Sequence, residues 1–436
     1  MGHFGKTPVL IAGAGFSGLA LAAQLLEHGE HVVLIGRAEH FARGTAYGDA
    51  WREHLLNVPA DRMGLRAGAP AAFADWLGLR DDARRQFRPR LEFGDYLAQE
   101  LDALRARHGD RLRCIPANIT AITRTANPGW QVALDSGETV ASDRLVLALG
   151  AAATPDTQSN SAIIRQPWAR GALSTIAADS SVLILGTGLT MIDMVLALQV
   201  QGHRGPITAL SRRGRLPLLH PQPPLPPTPP PTALLGALER GDVRTALRQF
   251  RVAVDGGSSP ASLADGLRPL IPQLWRGWPL SARRRFLRHL RPWWDSVRHR
   301  VAREVFSTLK RLQGDGRLRI RAGHLIDHAA GHAHIRWRGE RDIAKIPADF
   351  VIDATGWDGE RSRYAAHPAL AALIADGIVR IDPLGLGLDC DSDGRIPGVD
   401  GLHLIGFLRR GECWESTAVP ELRAQAAALA ERLAAY

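Results

Sequence analysis

The residues of this chain whose types and spacing suit chemistry lie in two glycine-rich loops and in a short polar stretch between them. The first loop, Gly13-Ala14-Gly15-Phe16-Ser17-Gly18, follows the apolar run Val9-Leu10-Ile11-Ala12. Each glycine has a physical use. Gly13 allows a tight turn, Gly15 lets the backbone approach a pyrophosphate, and Gly18 lets the next helix pack close to the strand. The N–H groups that open that helix, at Phe16 and Ser17, then face the phosphates. The second loop, Gly186-Thr187-Gly188-Leu189-Thr190-Met191, follows Ser181-Val182-Leu183-Ile184-Leu185. Met191 replaces the closing glycine, which leaves Gly186, Gly188, Leu189 and Thr190 as the expected contacts. Between the loops stand the two candidate catalytic residues. His54 can change its charge near neutral pH, and Asn57 can bond a cofactor or substrate carbonyl. The plainer alternatives are a hydrogen-bonded core histidine and an asparagine fixing a turn.

These loops require a strand before them and a helix after them. Leu19 to Leu26 and Ile192 to Gln201 supply the helices, and His31–Ile35 and Ile207–Ser211 supply strands at βαβ distance. The first of these strands ends at Gly36, where an acidic residue usually holds an adenosine ribose. Arg37 and Glu39 are the nearest candidates for that contact, Glu39 substituting from the following turn. The second ends in Arg212 and Arg213, a pair suited to a ribose 2′-phosphate, which favours NADPH over NADH. Two solvated arginines are the bland alternative. Each copy is followed by a meander and a strand ending in glycine, at Gly150 and at Gly356, and a third such ending is Gly406. The last helix begins at about Val419 with Ser416 or Thr417 as cap, and its N-terminus would face the flavin. Trp414 and Glu415 are placed to line the same pocket. Arg62 or Arg90 would suit an anionic substrate, the plainer alternative being a salt-bridged structural arginine.

One nucleotide site suits a simple dehydrogenase, whereas two suit a flavin reduced by a nicotinamide. The expected division of the 436 residues is a first part of an FAD domain over 1–155, an NAD(P)H domain over 160–320, and a second part of the FAD domain over 321–436. Residues 151–161 read as a linker. Inside the middle domain, 214–312 is an insertion, proline-rich from Pro217 to Pro231 and then helical, with Trp293 and Trp294 as packing residues. Arg43–Gly48 and His54–Met63 show no useful periodicity and read as ordered loops.

The net charge is +10, from 54 basic and 44 acidic residues. The basic residues are dispersed, with no recognition motif, so no nucleic-acid partner is expected. The glycine fingerprint accounts for the apolar run Val9–Leu26 better than a membrane span does, and no membrane partner is expected. Cys114, Cys390 and Cys413 are far apart, which fits a reduced, cytoplasmic protein. Residues 1–6 lack a signal-peptide layout. His324, His328, His332 and His334 follow no ligand spacing, and no metal is expected. A homodimer is left open.

Several segments carry a family resemblance: GTAYGDAWREHLLNVPADRMG, FRPRLEFGDYL, LGTGLTMIDM with ITALSRRGRLP, RRFLRHLRPWWD, DPLGLGLD and RGECWESTAVPELRAQA. Through them the chain resembles the bacterial FAD/NAD(P)-binding family often labelled YdhS-like, and it is similar to flavin-dependent hydroxylases of urate and of amino acids. The resemblance implies an α/β flavoprotein with two Rossmann-like dinucleotide-binding domains and a helical insertion, of monooxygenase/reductase architecture. It implies FAD and NADPH (or NADH) as cofactors. The implied reaction is hydroxylation of a small polar substrate by O₂ through a flavin C4a-hydroperoxide. A flavin-dependent reductase or dehydrogenase without oxygen insertion is one alternative, and a nonenzymatic flavin-binding sensor is another.

Overall fold

The computed structural model describes residues 7–125, 129–151, 162–356 and 361–435. The expected linker, from residue 152 onward, lies outside the described residues. The chain divides into two compact units. One comprises Met1–Arg52, Val58–Thr154 and Trp357–Tyr436; the other comprises Glu53–Asn57 and Pro155–Gly356.

The first unit is built on a parallel sheet. Strands β1 (Val9–Ala12) and β2 (Val32–Gly36) are buried at every position. Such unbroken apolar runs belong in a sheet covered on both faces. Strand β3 (Leu112–Pro116) flanks β2, and an antiparallel meander follows: β4 (Ile119–Arg124), β5 (Trp130–Leu134) and β6 (Thr139–Ser142). Strand β7 (Arg144–Leu147) returns to the sheet beside β1, and a late strand, Leu402–Leu404, pairs with β7. The sheet order is therefore Leu402–Leu404, β7, β1, β2, β3. The helix Phe16–Glu27 is buried along most of its length and packs against the C-terminal helix Val419–Ala434. A buried cluster including Leu10, Ile35, Ile122, Trp130, Val132 and Leu147 joins the sheet to the meander.

The second unit repeats the plan. Strands β8 (Ile163–Ile164), β9 (Val182–Leu185), β10 (Ile207–Ser211), β11 (Leu318–Ala329), β12 (His332–Trp337), β13 (Ile343–Pro347) and β14 (Phe350–Asp353) form one sheet, in the order β13, β12, β11, β10, β9, β14, β8. The pairs from β8 to β11 are parallel, and β11–β12–β13 are antiparallel. The helix Leu189–Val200 follows β9.

The expected boundary at 320 differs from this division. It falls inside β11, whose first half pairs with β10 and whose second half pairs with β12. A single strand cannot be split between units, so 321–356 stays in the second unit. His54 and Asn57, expected in the first domain, also fall in the second unit. Gly44–Gly48, expected as loop, forms a one-turn helix too short to leave a periodic signature.

The insertion is helical from Thr232 to Gly314 in several segments, as its composition implied. It carries its own small core of Leu234, Ala237, Ala246 and Leu267, with Trp294 packed against it. The proline-rich stretch before it is neither helix nor strand. The histidines of β11 and β12 serve local structure. His328 bonds the Ala348 carbonyl at 2.7 Å, and His334 meets Asp327 at 2.5 Å. Among the described residues, no helix is long and apolar enough to cross a membrane.

Trp130 is 1% exposed, and its Nε1 donates to the Asp400 carbonyl at 3.3 Å. Trp130→Ala should therefore destabilise the first unit by about 3–5 kcal/mol, seen as a lower urea midpoint in circular dichroism.

Candidate functional site

Two loops with matching geometry define a candidate site in each unit. Gly13 has φ +119° and Gly186 has φ +115°, a region L side chains rarely adopt. A Cβ on Gly13 would lie 2.3 Å from the Ala148 carbonyl oxygen, and a Cβ on Gly186 would lie 2.3 Å from that of Ala354. Ala148 N donates to Ala12 O, and Ala354 N donates to Leu185 O, each at 2.7 Å. In each unit, then, the strand leaving the meander ends against the turn of the glycine loop. Two residues past each alanine, Gly150 and Gly356 are exposed with positive φ, and among the described residues no atom lies near a built Cβ.

The second glycines differ from the first in what surrounds them. Gly15 and Gly188 are the N-cap residues of their helices, with extended backbone, and no side chain caps either helix. A Cβ on Gly188 would meet nothing within 4 Å, and one on Gly15 would meet only Gly44 backbone, its Cα nearest at 3.4 Å. Space and unpaired N–H groups at a helix start suit a phosphate. The two copies differ at the third position. A Cβ on Gly18 would lie 1.9 Å from Gly13 O, whereas the second copy accommodates the buried Met191 there.

In the first unit the structure brings further expected residues to this loop. Phe16 is buried, its ring centroid 6.0 Å from that of Phe93. Gly406 (φ +74°) lies against Ser17, whose Oγ would be 2.6 Å from a Cβ on that glycine. Gln425, which the sequence reading missed, ties two of the elements together. Its Oε1 accepts from Gly406 N at 3.1 Å, and its Nε2 donates to Ser416 O at 3.2 Å. Gly44 was also missed, although a glycine in GTAYG was the available signal. Its backbone lies against Gly15, with φ +61°.

The expected cap of the last helix is corrected. Ala418 occupies the N-cap, and no side chain caps the helix. Glu415, at φ +61°, turns the chain so that Ser416 points inward at 1% exposure, while Thr417 is exposed. Among the described residues, Ser416 Oγ has no hydrogen-bond partner. A buried hydroxyl without a partner beside an uncapped helix start fits a polar ligand edge, as a flavin presents. Trp414 is buried next to it, with the Arg410 guanidinium 5.6 Å from the ring centroid.

The ribose position of the first unit also departs from the usual pattern. A Cβ on Gly36 would lie 2.6 Å from Ala14 Cβ, so this backbone has no room for an acidic side chain there. Arg37 and Glu39 pair with each other at 3.5 Å and are about half exposed. Arg37 also contacts His40, which bonds Asp49.

His54 is completely buried. Its Nε2 bonds the Asp193 carbonyl at 2.8 Å, and its ring meets Trp168 edge-on at 5.5 Å. These contacts make it an anchor for Glu53–Asn57 on the helix Leu189–Val200. That geometry favours the structural alternative over a proton carrier. Asn57 is half-buried, and its backbone hydrogen-bonds the His220 imidazole. Burial, aided by Arg300, holds His220 down to about 4. In the first unit, burial and then Arg395 hold His403 down to about 4.

At the end of β10, Arg212 is exposed, and Arg213 donates to the His289 carbonyl at 3.2 Å. Thr187 was not singled out in the sequence. It is buried, and its Oγ1 donates to Arg215 O at 2.5 Å and bonds Ser211 Oγ at 2.9 Å. It fastens the glycine loop to the turn after β10.

Residues 10–152 match the protein family described as FAD-NAD(P)-binding. The chain thus carries a nucleotide-binding domain of that type around the first loop. No curated protein matches. Solved structures match in fold over nearly the whole chain. L-lysine 6-monooxygenase from Pseudomonas syringae is 17% identical, with 98% of this chain and 99% of that one covered at a TM-score of 0.65. An ornithine N-hydroxylase from Kutzneria sp. 744, solved with reduced FAD, NADP⁺ and L-ornithine, is 15% identical (98% and 99% covered, TM-score 0.61). The bacillithiol disulfide reductase Bdr from Bacillus cereus is also 15% identical, with 99% of each chain covered at a TM-score of 0.58. The architecture is that of flavoproteins with two dinucleotide-binding domains.

The two glycines of the second loop should respond differently to the same change. Gly186→Ala meets both the strained φ and the Ala354 carbonyl, and it should destabilise the protein by more than about 1–3 kcal/mol. Gly188→Ala, which meets no atom and needs no unusual φ but replaces an N-cap glycine, should cost no more than about 1 kcal/mol. Urea titration of the two variants checks this. The buried histidines imply an acid-sensitive window. Unfolded histidine titrates near 6.5, so from about pH 6.5 to about pH 4 the unfolded chain binds protons that folded His220 and His403 do not. Stability should fall as pH drops through that window, and His403→Asn should flatten the fall in unfolding midpoints measured across it.

Proposed function

We propose that the protein is an FAD-dependent, NAD(P)H-consuming oxidoreductase, and that it works as a monooxygenase on a small polar substrate such as an amine, an amino acid or a urate-like heterocycle. The observation that carries this reading is the duplicated cradle. Gly13 and Gly186 share one turn geometry, and each supports its own helix start for a pyrophosphate. The family match over the first cradle supports FAD there. The similarity to N-hydroxylases supports NADP(H) in the second cradle and oxygen insertion as the outcome.

Bound FAD would supply hydride acceptance and O₂ activation. The chain's own residues bind, orient and shield. Gly13, Gly15, Phe16, Ser17 and Gly18 hold the FAD pyrophosphate, with Gly150 leaving room along the cofactor and Gly406 packed against Ser17. Arg37 and Glu39 remain the candidates for the ribose side. The Ser416 hydroxyl and the N–H groups from Val419 onward hold a polar, partly negative flavin edge, with Thr417 beside them. Trp414 excludes water near it. Gly186, Gly188, Leu189 and Thr190 hold the nicotinamide nucleotide, Arg212 and Arg213 flank its ribose, and Gly356 leaves room beside it. Asn57 offers a hydrogen bond to a reacting carbonyl, and His54 keeps its segment in place.

A reductase without oxygen insertion is the second reading, favoured by the similarity to the bacillithiol disulfide reductase. Cys114, Cys390 and Cys413 form no CxxC pair that would serve disulfide exchange. The deciding experiment supplies NADPH and isotopically labelled O₂ with a panel of amines, amino acids and urate. Label in the product is expected. NADPH oxidation with no labelled product from any of them supports the reductase instead. Under the first reading, Asn57→Ala should lower the product formed per NADPH consumed by about tenfold, with the flavin spectrum unchanged.

A further inference from the structure

Beside the second cradle, the turn after β10 gathers arginines without an acid. Arg215 lies over the ring of Trp293, its guanidinium carbon 3.1 Å from the centroid. Arg251, from the insertion helix Val243–Asp255, approaches the same ring at 5.2 Å. Burial lowers the proton affinity of Arg215 most, and Arg213, Arg251 and Arg338 lower it further. Among the described residues, none of the four arginines forms an ion pair with an acid. Arg213 is partly occupied by the His289 carbonyl, and Arg338 follows β12 on the exposed surface.

Like charges held this close repel one another, and the aromatic face offsets only part of that repulsion. A doubly charged anion would offset the rest through charge-assisted, forked hydrogen bonds. The cluster's position indicates which anion. The end of the second strand in a βαβ nucleotide unit is where the adenosine ribose of a dinucleotide lies. The Thr187 hydroxyl ties this turn to the phosphate loop through the Arg215 carbonyl, so loop and cluster are held in one register. Gly214 supports the turn with φ +59°, and a Cβ there would lie 2.9 Å from Ala322 N.

We propose that Arg215, held flat by Trp293 and reinforced by Arg251 and Arg338, selects a phosphomonoester on the ribose of the second nucleotide, so that the helical insertion decides the preference for NADP(H) over NAD(H). The inference rests on the reading of the second cradle as a nicotinamide nucleotide site. It moves the selecting role from the strand-end pair Arg212 and Arg213 to residues that the insertion completes.

Calorimetric titration tests this with NADP⁺, NAD⁺, adenosine 2′-monophosphate and inorganic phosphate as separate ligands. The parent protein should bind NADP⁺ more tightly than NAD⁺. Arg215→Ala should weaken NADP⁺ and adenosine 2′-monophosphate by about 10- to 100-fold and leave NAD⁺ within about twofold. The exposed Arg251→Ala, which keeps the fold in any case, should shift the same ratio in the same direction by less, and so should Trp293→Ala. Equal losses for NADP⁺ and NAD⁺, or no loss, overturn the proposal. Inorganic phosphate binding as tightly as adenosine 2′-monophosphate also overturns it, because the cluster would then be a general anion site. If neither dinucleotide binds the parent protein, the second-cradle reading itself fails. If both bind equally and Arg215→Ala changes neither, only the selector fails.

Discussion

The structure depends on one close approach, made twice. At Gly13 and at Gly186 the backbone takes a conformation that favours glycine, and the carbonyl of a strand-ending alanine occupies the place of the missing Cβ. Without that approach the strand could not lead its chain past the helix start, and the N–H groups of the helix would not be left open to a ligand. The alanines, Ala148 and Ala354, arrive from meanders far along the chain. Each cradle is therefore completed only when a complete βαβ unit and its meander have packed. This couples binding geometry to the hydrophobic cores of the units, since buried strands such as β1 and β9 hold the loops that follow them.

The two copies are not equivalent in chemistry. The first closes tightly at Gly18 and has no room for an acid at Gly36, so its ribose end is bounded by the exposed Arg37–Glu39 pair. The second tolerates Met191 and is fastened through Thr187 to an arginine-bearing turn. The first therefore carries an ion pair at its ribose end, and the second carries Arg215 stacked on Trp293 with Arg251 near the same ring. The net charge of +10 is not merely diffuse, because part of it is concentrated where the insertion meets the second sheet.

Much of this was legible along the chain. Glycine loops, buried apolar runs, the helical insertion and the strand Ile207–Ser211 all carry local signals of period, turn chemistry or backbone freedom. Positions whose meaning depends on distant partners were not legible. The residue type of His54 allows either a proton carrier or a hydrogen-bonded core histidine, and the carbonyl 139 residues away at its Nε2 favours the second. The cap expected at Ser416 or Thr417 failed because Glu415 turns the chain first and sends Ser416 inward. The boundary at 320 missed because a strand that pairs in parallel along one half and antiparallel along the other looks like two strands in a linear reading.

The sequence alone determined the class of fold, the duplication of the phosphate loop and the absence of a CxxC pair, because these follow from residue types and spacings over short range. Tertiary structure decided which of the candidate polar residues are occupied and which are open. It made His54 an anchor, left the Ser416 hydroxyl without a partner among the described residues, and set Arg215 on Trp293 with three other arginines near. The physical reason is that burial and electrostatic environment are properties of what surrounds a side chain, and those surroundings are assembled from segments that the linear order keeps far apart.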